Sequence, residues 1–248
     1  MSFEITVLGC SGTYPVPGNA ATGFLLRSDD STIWIDAGTG TFANLQRHVD
    51  YRTLDAVLLS HLHLDHILDL FPLYYALRYS VEKLAPTMLQ VFAPEEAESS
   101  LGAFVSKDRD PFGDYLVFRP IADGSIGGFD FSFVRARHPV PTFAMRIDRD
   151  GASFGYTADT APSDAVTTLM KGVDVLIAEA TMQGPDELMV EVHMTAHEAG
   201  EMAQGAGAGR LLLTHIWPGL DHEVSVAMAS ERFSGEVAAL HEGMTLRV

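Results

Sequence analysis

The stretch Ser60-His61-Leu62-His63-Leu64-Asp65-His66 packs three histidines and an aspartate into one short run. All four side chains can bind a cation. Residues 54–59, just before it, are mostly apolar and read as a buried strand. Residues 67–71, just after it, read as the start of a helix. The ligand-type residues therefore sit at the carboxyl end of a strand, where open α/β layers place their chemistry. In an extended or turning backbone His61 and His63 point to the same side and can grip one cation. Asp65 and His66 fall on the next turn and can serve a second cation beside it. Neutral imidazole and carboxylate suit Zn²⁺, Mn²⁺ or Fe²⁺. The bland alternative is a surface cluster of histidines. A structural zinc site would recruit cysteines at wider spacing, and the chain has only Cys10.

Such a run needs partners from elsewhere in the chain. Residues 128–135 alternate with period two and read as a strand. It delivers His138, which Pro139 biases toward extended backbone. A lone histidine is as readily incidental, but this one supplies the third ligand that His61 and His63 lack. Residues 152–157 read as another strand, followed by Asp159. That aspartate is either a metal carboxylate or the cap of a helix beginning near Asp164. Residues 173–178 form a strand leading into Glu179-Ala180-Thr181. Thr195 and Glu198 make a T-x-x-E capping box for a helix over residues 196–206, and His193 lies just before that cap. Residues 210–215 read as a buried strand ending in His215, the last ligand. A helix over residues 223–233 follows. His197 lies inside a helix and reads as ordinary; His48, His222 and His241 carry no signal.

The amino-terminal half supplies a sheet. Residues 3–8 alternate as a strand, and Gly9-Cys10-Ser11-Gly12-Thr13-Tyr14-Pro15 follows as a turn. Glycines there let backbone approach another group closely; a phosphate cradle is the alternative, without the phosphate-loop lysine. Residues 23–27 and 32–36 read as a hairpin, and residues 41–49 as a helix. Asp36 either orients a ligand histidine through its second ring nitrogen or caps the following turn. An aromatic-rich helix is expected over residues 70–80. Its Tyr74, Tyr75 and Arg78 either pack the core or border the substrate. Residues 88–93 read as a strand and 95–104 as a helix. The polar loop 106–113 is a candidate lid.

Length fits one domain over residues 1–248, with 47% hydrophobic residues to build a core. No run of apolar residues is long enough to span a membrane. The amino terminus lacks the basic start and apolar run of a signal peptide. A lone cysteine suits a reducing compartment, so a cytoplasmic location is expected. The 33 acidic residues against 16 basic give a net charge of −17. Nucleic-acid binding draws on basic patches, and none is present. Charge therefore favours a small-molecule substrate over RNA.

The run His61-Leu62-His63-Leu64-Asp65-His66, with His138, Asp159 and His215 in order behind it, resembles the binuclear metallo-β-lactamase superfamily over nearly the whole chain. The resemblance implies an αββα sandwich in the α/β class. It implies one metal on His61, His63 and His138, a second on Asp65, His66 and His215, and Asp159 between them. Two divalent ions are therefore expected, Zn²⁺ first, with Mn²⁺ or Fe²⁺ as alternatives. Glu179-Ala180-Thr181, His193-Met194-Thr195 and Leu8-Gly9-Cys10-Ser11-Gly12 further resemble the ribonuclease Z and cyclic-nucleotide phosphodiesterase branch. Ala178 stands where that branch often has a histidine. His193 and Asp65 are then the candidate catalytic residues, His193 as the phosphate contact. Ribonuclease Z enzymes of the bacterial type carry a tRNA-gripping arm between the third histidine and the bridging aspartate. Residues 139–158 leave room there only for a hairpin.

The resemblance thus implies a phosphodiesterase for a small phosphodiester such as a 3′,5′-cyclic nucleotide, through water activated between two metals, and lies closest to armless actinobacterial enzymes of that kind. Ribonuclease Z-like tRNA cleavage and thioester or lactone hydrolysis are the alternatives. No membrane partner is expected, and a homodimer is left open. Glyoxalase-II-like relatives add a carboxyl-terminal helical domain, for which residues 216–248 are too few.

Overall fold

The computed structural model describes residues 3–81, 88–106, 111–184 and 191–248. Its strands build two seven-stranded sheets. The first holds β1 (Glu4–Gly9), β2 (Gly23–Arg27), β3 (Thr32–Ile35), β4 (Ala56–Leu58), β5 (Leu89–Ala93) and β6 (Leu116–Pro120). The second holds β7 (Gly124–Ile126), β8 (Phe129–Arg135), β9 (Phe143–Arg149), β10 (Ala152–Tyr156), β11 (Val175–Glu179), β12 (Arg210–Thr214) and β13 (Glu236–Ala239). The last strand, β14 (Thr245–Arg247), crosses back to pair antiparallel with β1. Each sheet is antiparallel at one end and parallel at the other: β3 to β6 run parallel in the first, β10 to β13 in the second.

Side chains on successive strand residues face opposite ways, and both sheets use both faces. Phe24, Leu26, Ile33 and Ile35 point inward against Phe129, Phe131, Ile147, Phe154 and Ile177 of the other sheet. The residues between them, Leu25 and Trp34, face outward into a second cluster. That cluster is covered by α1 (Thr41–Leu45), α3 (Leu70–Tyr79) and α4 (Ala97–Val105). Leu176, Ala178, Leu211 and Leu213 likewise face outward under α5 (Asp164–Leu169), α6 (Ala196–Ala206) and α7 (His222–Ser230). A short α2 (Leu64–Ile67) carries part of the ligand run. This is the expected αββα sandwich, in one domain. Strands with apolar residues on both faces must be buried on both, which is why the layers are four.

Several local expectations are corrected. The helix expected over residues 41–49 ends at Leu45. The helix after Asp159 is capped by Ser163, whose side chain accepts from Val166 N, so Asp159 is not its cap. The capping box at Thr195 and Glu198 is present as expected. Residues 107–110 of the candidate lid lie outside the described residues. Among the described residues no helix is long and apolar enough to cross a membrane.

Phe24 is fully buried between the sheets, edge-on to Tyr156 at 5.2 Å between ring centroids. Phe24→Ala is expected to destabilise the fold by about 3–5 kcal/mol. Val224→Ala, on exposed helix surface, is expected to stay within about 0.5 kcal/mol. Denaturant unfolding of both variants checks this; equal effects would contradict an inter-sheet core at Phe24.

Candidate metal centre

The site lies where strands of both sheets end. Asp36 follows β3, the run Ser60–His66 follows β4, Asp159 follows β10, Glu179 ends β11, and His215 follows β12. Three of these ends turn through left-handed backbone at residues other than glycine: Asp36 (φ 54), Ala158 (φ 50) and His215 (φ 56). Such turns cost roughly 1–2 kcal/mol each, and they bend the chain ends so that side chains converge across the edge of the sandwich. Strain of this kind collects at functional sites.

All seven residues expected to bind metal meet there. One ligand atom from each of His61, His63, His138 and Asp159 lies within 4.8 Å of the others. The same holds for Asp65, His66 and His215, and for Asp159, His193 and His215. His138 Nε2 is 3.1 Å from His63 Nδ1, and His215 Nε2 is 3.1 Å from Asp65 Oδ2. Asp159 stands between the two groups: Oδ2 is 3.6 Å from His61 Nε2 and 3.5 Å from His215 Nε2, and Oδ1 is 3.4 Å from His66 Nε2.

The donor set fits cations. The Nε2 atoms of His61 and His66 and Oδ1 of Asp159 are buried with no hydrogen-bond partner. Buried polar atoms are normally paired, since leaving one unmet costs about 1–3 kcal/mol. Two atoms sharing a tetrahedral zinc at about 2.0–2.1 Å sit roughly 3.3–3.4 Å apart. The separations around Asp159 come close to that spacing.

Protonation is sorted in the same way. Burial pulls His61 well below its usual range, with His66 adding to the effect. Burial also lowers His63 and His138. These three imidazoles are thereby held in the neutral form that ligates metal. Burial likewise opposes a proton on His66, but Asp159, Asp65 and Asp36 outweigh it and hold it well above its ordinary value. His215 is raised against burial by Asp159 and Asp65. Burial opposes ionisation of Asp159, yet His215, His66 and His61 keep it well below the carboxylate range. A metal needs these imidazoles with Nε2 unprotonated, so cation binding here is linked to pH.

A second layer fixes the ligands. Asp36, fully buried, accepts at Oδ1 from Ser60 N (2.7 Å). Its Oδ2 accepts from Ser60 Oγ, from His66 Nδ1 and from the Tyr156 hydroxyl, each at 2.8 Å. With its own proton on Asp36, Ser60 Oγ accepts from His61 Nδ1 at 3.0 Å. Both rings thus have Nδ1 committed and Nε2 free for a ligand. Asp36 therefore orients a histidine, one of its two expected roles. Across the site Thr181 Oγ1 donates to Glu179 Oε2 (2.6 Å) and accepts from His215 Nδ1 (2.9 Å). Glu179 is itself fully buried and accepts from the backbone of Thr160 and Met194.

His193 joins this layer. Its Nδ1 donates to Glu179 Oε1 at 2.9 Å, and its ring stacks on His215 at 5.4 Å and meets His138 edge-on at 5.2 Å between centroids. Burial opposes its proton, but Glu179 outweighs burial and pushes it up to about 9. The glycine turn approaches from the other side. A side chain at Gly12 would come within 2.5 Å of His215 O, and Thr13 N–H lies 3.4 Å from His215 Nε2. The turn is a close backbone approach to a ligand, as one of its two readings expects.

The other candidates stay apart. His197 pairs with Glu231 at 3.1 Å on the surface. Tyr74 is buried and donates to Pro111 O, while the Arg78 guanidinium lies over the Tyr74 and Tyr79 rings. Sequence reasoning missed Tyr156 and Ser60. An aromatic in an alternating strand reads as core, and only the packing of the two sheets reveals that the Tyr156 hydroxyl reaches Asp36.

Fold and site together define a metal-dependent hydrolase of the metallo-β-lactamase type. The Beta-lactamase superfamily domain matches residues 31–216, and the chain belongs to this superfamily. It is similar to the uncharacterized protein Rv1339 of Mycobacterium tuberculosis, 37% identical across 97% of this chain and 90% of that one. It is 32% identical to the probable metallo-hydrolase YhfI of Bacillus subtilis, across 97% and 98%. It is 30% identical to ribonuclease Z of Mycobacterium bovis, across 94% of each. The crystal structure of YhfI superposes with a TM-score of 0.91 over the whole of both chains.

Asp36→Asn is expected to keep the fold, because asparagine tolerates left-handed backbone. It removes the carboxylate that holds Ser60 and His66, so metal affinity should fall roughly 10–100-fold. Competition for zinc against a chromophoric chelator measures this. Unchanged affinity would mean that Asp36 serves the backbone turn alone.

Proposed function

We propose that this hydrolase is a phosphodiesterase with two divalent metals, acting on a small phosphodiester such as a 3′,5′-cyclic nucleotide. The observation that carries the reading is His193, a histidine beside the cluster whose Nδ1 is locked by a buried carboxylate. It stands just before the capped amino end of α6, where the helix favours an anion. A charged phosphodiester makes use of such a group; a neutral lactam has less use for it. The similarity to ribonuclease Z supports phosphodiester chemistry. The hairpin of β9 and β10, closed by Asp150 and Gly151, takes up residues 143–156 of the span between His138 and Asp159, which leaves too few residues for a tRNA-gripping arm.

His61, His63 and His138 would hold one ion, Asp65, His66 and His215 the other, with Asp159 shared. When bound, such ions supply Lewis acidity and lower the pKa of water toward neutrality. The chain's own groups do the rest. Asp36 and Ser60 keep the Nε2 atoms of His61 and His66 turned inward. Thr181 does the same for His215. With Nδ1 committed to Glu179, His193 offers Nε2 to a phosphoryl or departing oxygen, and Glu179 balances the charge of its protonated ring.

Elemental analysis of gently purified protein should approach two metals per chain; a value that stays below one with metal added would sink the binuclear reading. His193→Ala should keep both metals while lowering kcat on a cyclic nucleotide by about 10²–10⁴-fold. The loss should be smaller on p-nitrophenyl diesters, whose leaving group needs little protonation. Loss of a metal instead would make His193 a ligand. A panel of cyclic nucleotides, thioesters and a pre-tRNA compares the alternatives, and trailer cleavage as fast as small-diester turnover would favour a ribonuclease Z role.

A further inference from the structure

Large side chains are exposed beside the cluster. Leu64 stands between the candidate ligands His63 and Asp65 and is 61% exposed. Leu68, 37% exposed, follows one turn later in right-handed helical backbone at the end of α2. Residues four apart share a helix face, and the rise of 1.5 Å per residue puts these two about 6 Å apart along the axis. At the same ligand group, His215 Nε2 lies 3.1 Å from Asp65 Oδ2 and accepts from Thr13 N at 3.4 Å, and the neighbour of Thr13, Tyr14, is 49% exposed. Single surface leucines are ordinary. Here three large side chains are exposed beside one ligand group: Leu64 and Leu68 within two residues of Asp65 and His66, and Tyr14 next to the Thr13 N–H that reaches His215.

Charge gives this surface a use. A chain of net charge −17 repels an anionic diester at long range. The metals and His193 can hold the phosphoryl group, and contacts that carry no charge are left to hold the organic part of such a substrate. Tyr75 and Tyr79, also exposed, belong to α3, a separate helix: Asp69 N–H donates to Ala37 O instead of continuing the α2 ladder.

We propose that Tyr14, Leu64 and Leu68 form an apolar rim that packs the non-departing organic group of the substrate. The rim selects diesters bearing a planar ring, such as a heterocyclic base or an aryl group, over those bearing a small alkyl group. The proposal rests on the phosphodiester reading. It makes these three residues determinants of specificity rather than catalytic groups.

Two esters with the same leaving group test it: bis-p-nitrophenyl phosphate, which retains an aryl group, and methyl p-nitrophenyl phosphate, which retains a methyl. The ratio of their kcat/KM values cancels changes in metal loading and in leaving-group chemistry. Leu64→Ser and Tyr14→Ser in the metal-loaded protein should each lower that ratio by roughly 5- to 20-fold. Leu64→Met and Tyr14→Phe should restore most of it. Val224→Ser, an exposed apolar position on α7, should leave it alone. A ratio unchanged in both serine variants overturns the rim. Wild-type protein that turns over neither ester overturns the phosphodiester reading itself, and the rim's role with it.

Discussion

A carboxylate shielded from water at the junction of two sheets holds this site together. Asp36 closes β3 of the first sheet and takes four hydrogen bonds, two from Ser60, one from His66 and one from Tyr156. Ser60 and His66 belong to the loop after β4, while Tyr156 belongs to β10 of the second sheet. One buried charge thus fixes two candidate ligands and ties the sheets together at the edge where they must cooperate. A carboxylate stripped of water is costly. It is tolerated because donors surround it, and those donors come from two segments far apart in sequence that only the native fold brings together.

Glu179 does the matching work from the second sheet. At the end of β11 it accepts from Thr160 N, Met194 N, Thr181 Oγ1 and His193 Nδ1. Through Thr181 it also orients His215. Each sheet therefore contributes one buried acid that does not touch the centre of the cluster and instead aims the histidines that do. The outcome is that the Nε2 atoms of His61 and His66 are buried with no hydrogen-bond partner. Satisfied outer layers around unsatisfied inner atoms are what a metal centre requires.

The strain at the site follows from the same geometry. Strands stacked in two sheets point their ends outward along the edge. Bringing side chains from both back together demands sharp turns, which Asp36, Ala158 and His215 make in left-handed backbone. Gly12 is the complementary case, since only a residue without a side chain lets the first turn lie against His215.

The sequence alone determined much of this. Alternation marked β1 and β8, the hairpin pattern marked β2 and β3, and the T-x-x-E box placed α6, because these patterns depend on neighbours a few residues apart. The run from His61 to His66 declared the chemistry for the same reason: its ligands are local. His138, Asp159 and His215 were legible as single residues at predicted strand ends, and their order along the chain supplied the resemblance to a superfamily. Tertiary structure decided the rest. It settled that Asp159 lies between two ligand groups while Ser163 caps α5, that Asp36 orients His66, and that Tyr156 bonds across the sandwich. It also decided that Tyr74 is core while Leu64 and Tyr14 stand open beside the cluster. Those facts depend on how two sheets distant in sequence pack face to face, and a tyrosine or leucine carries no local mark of which neighbour, or how much water, it will meet there.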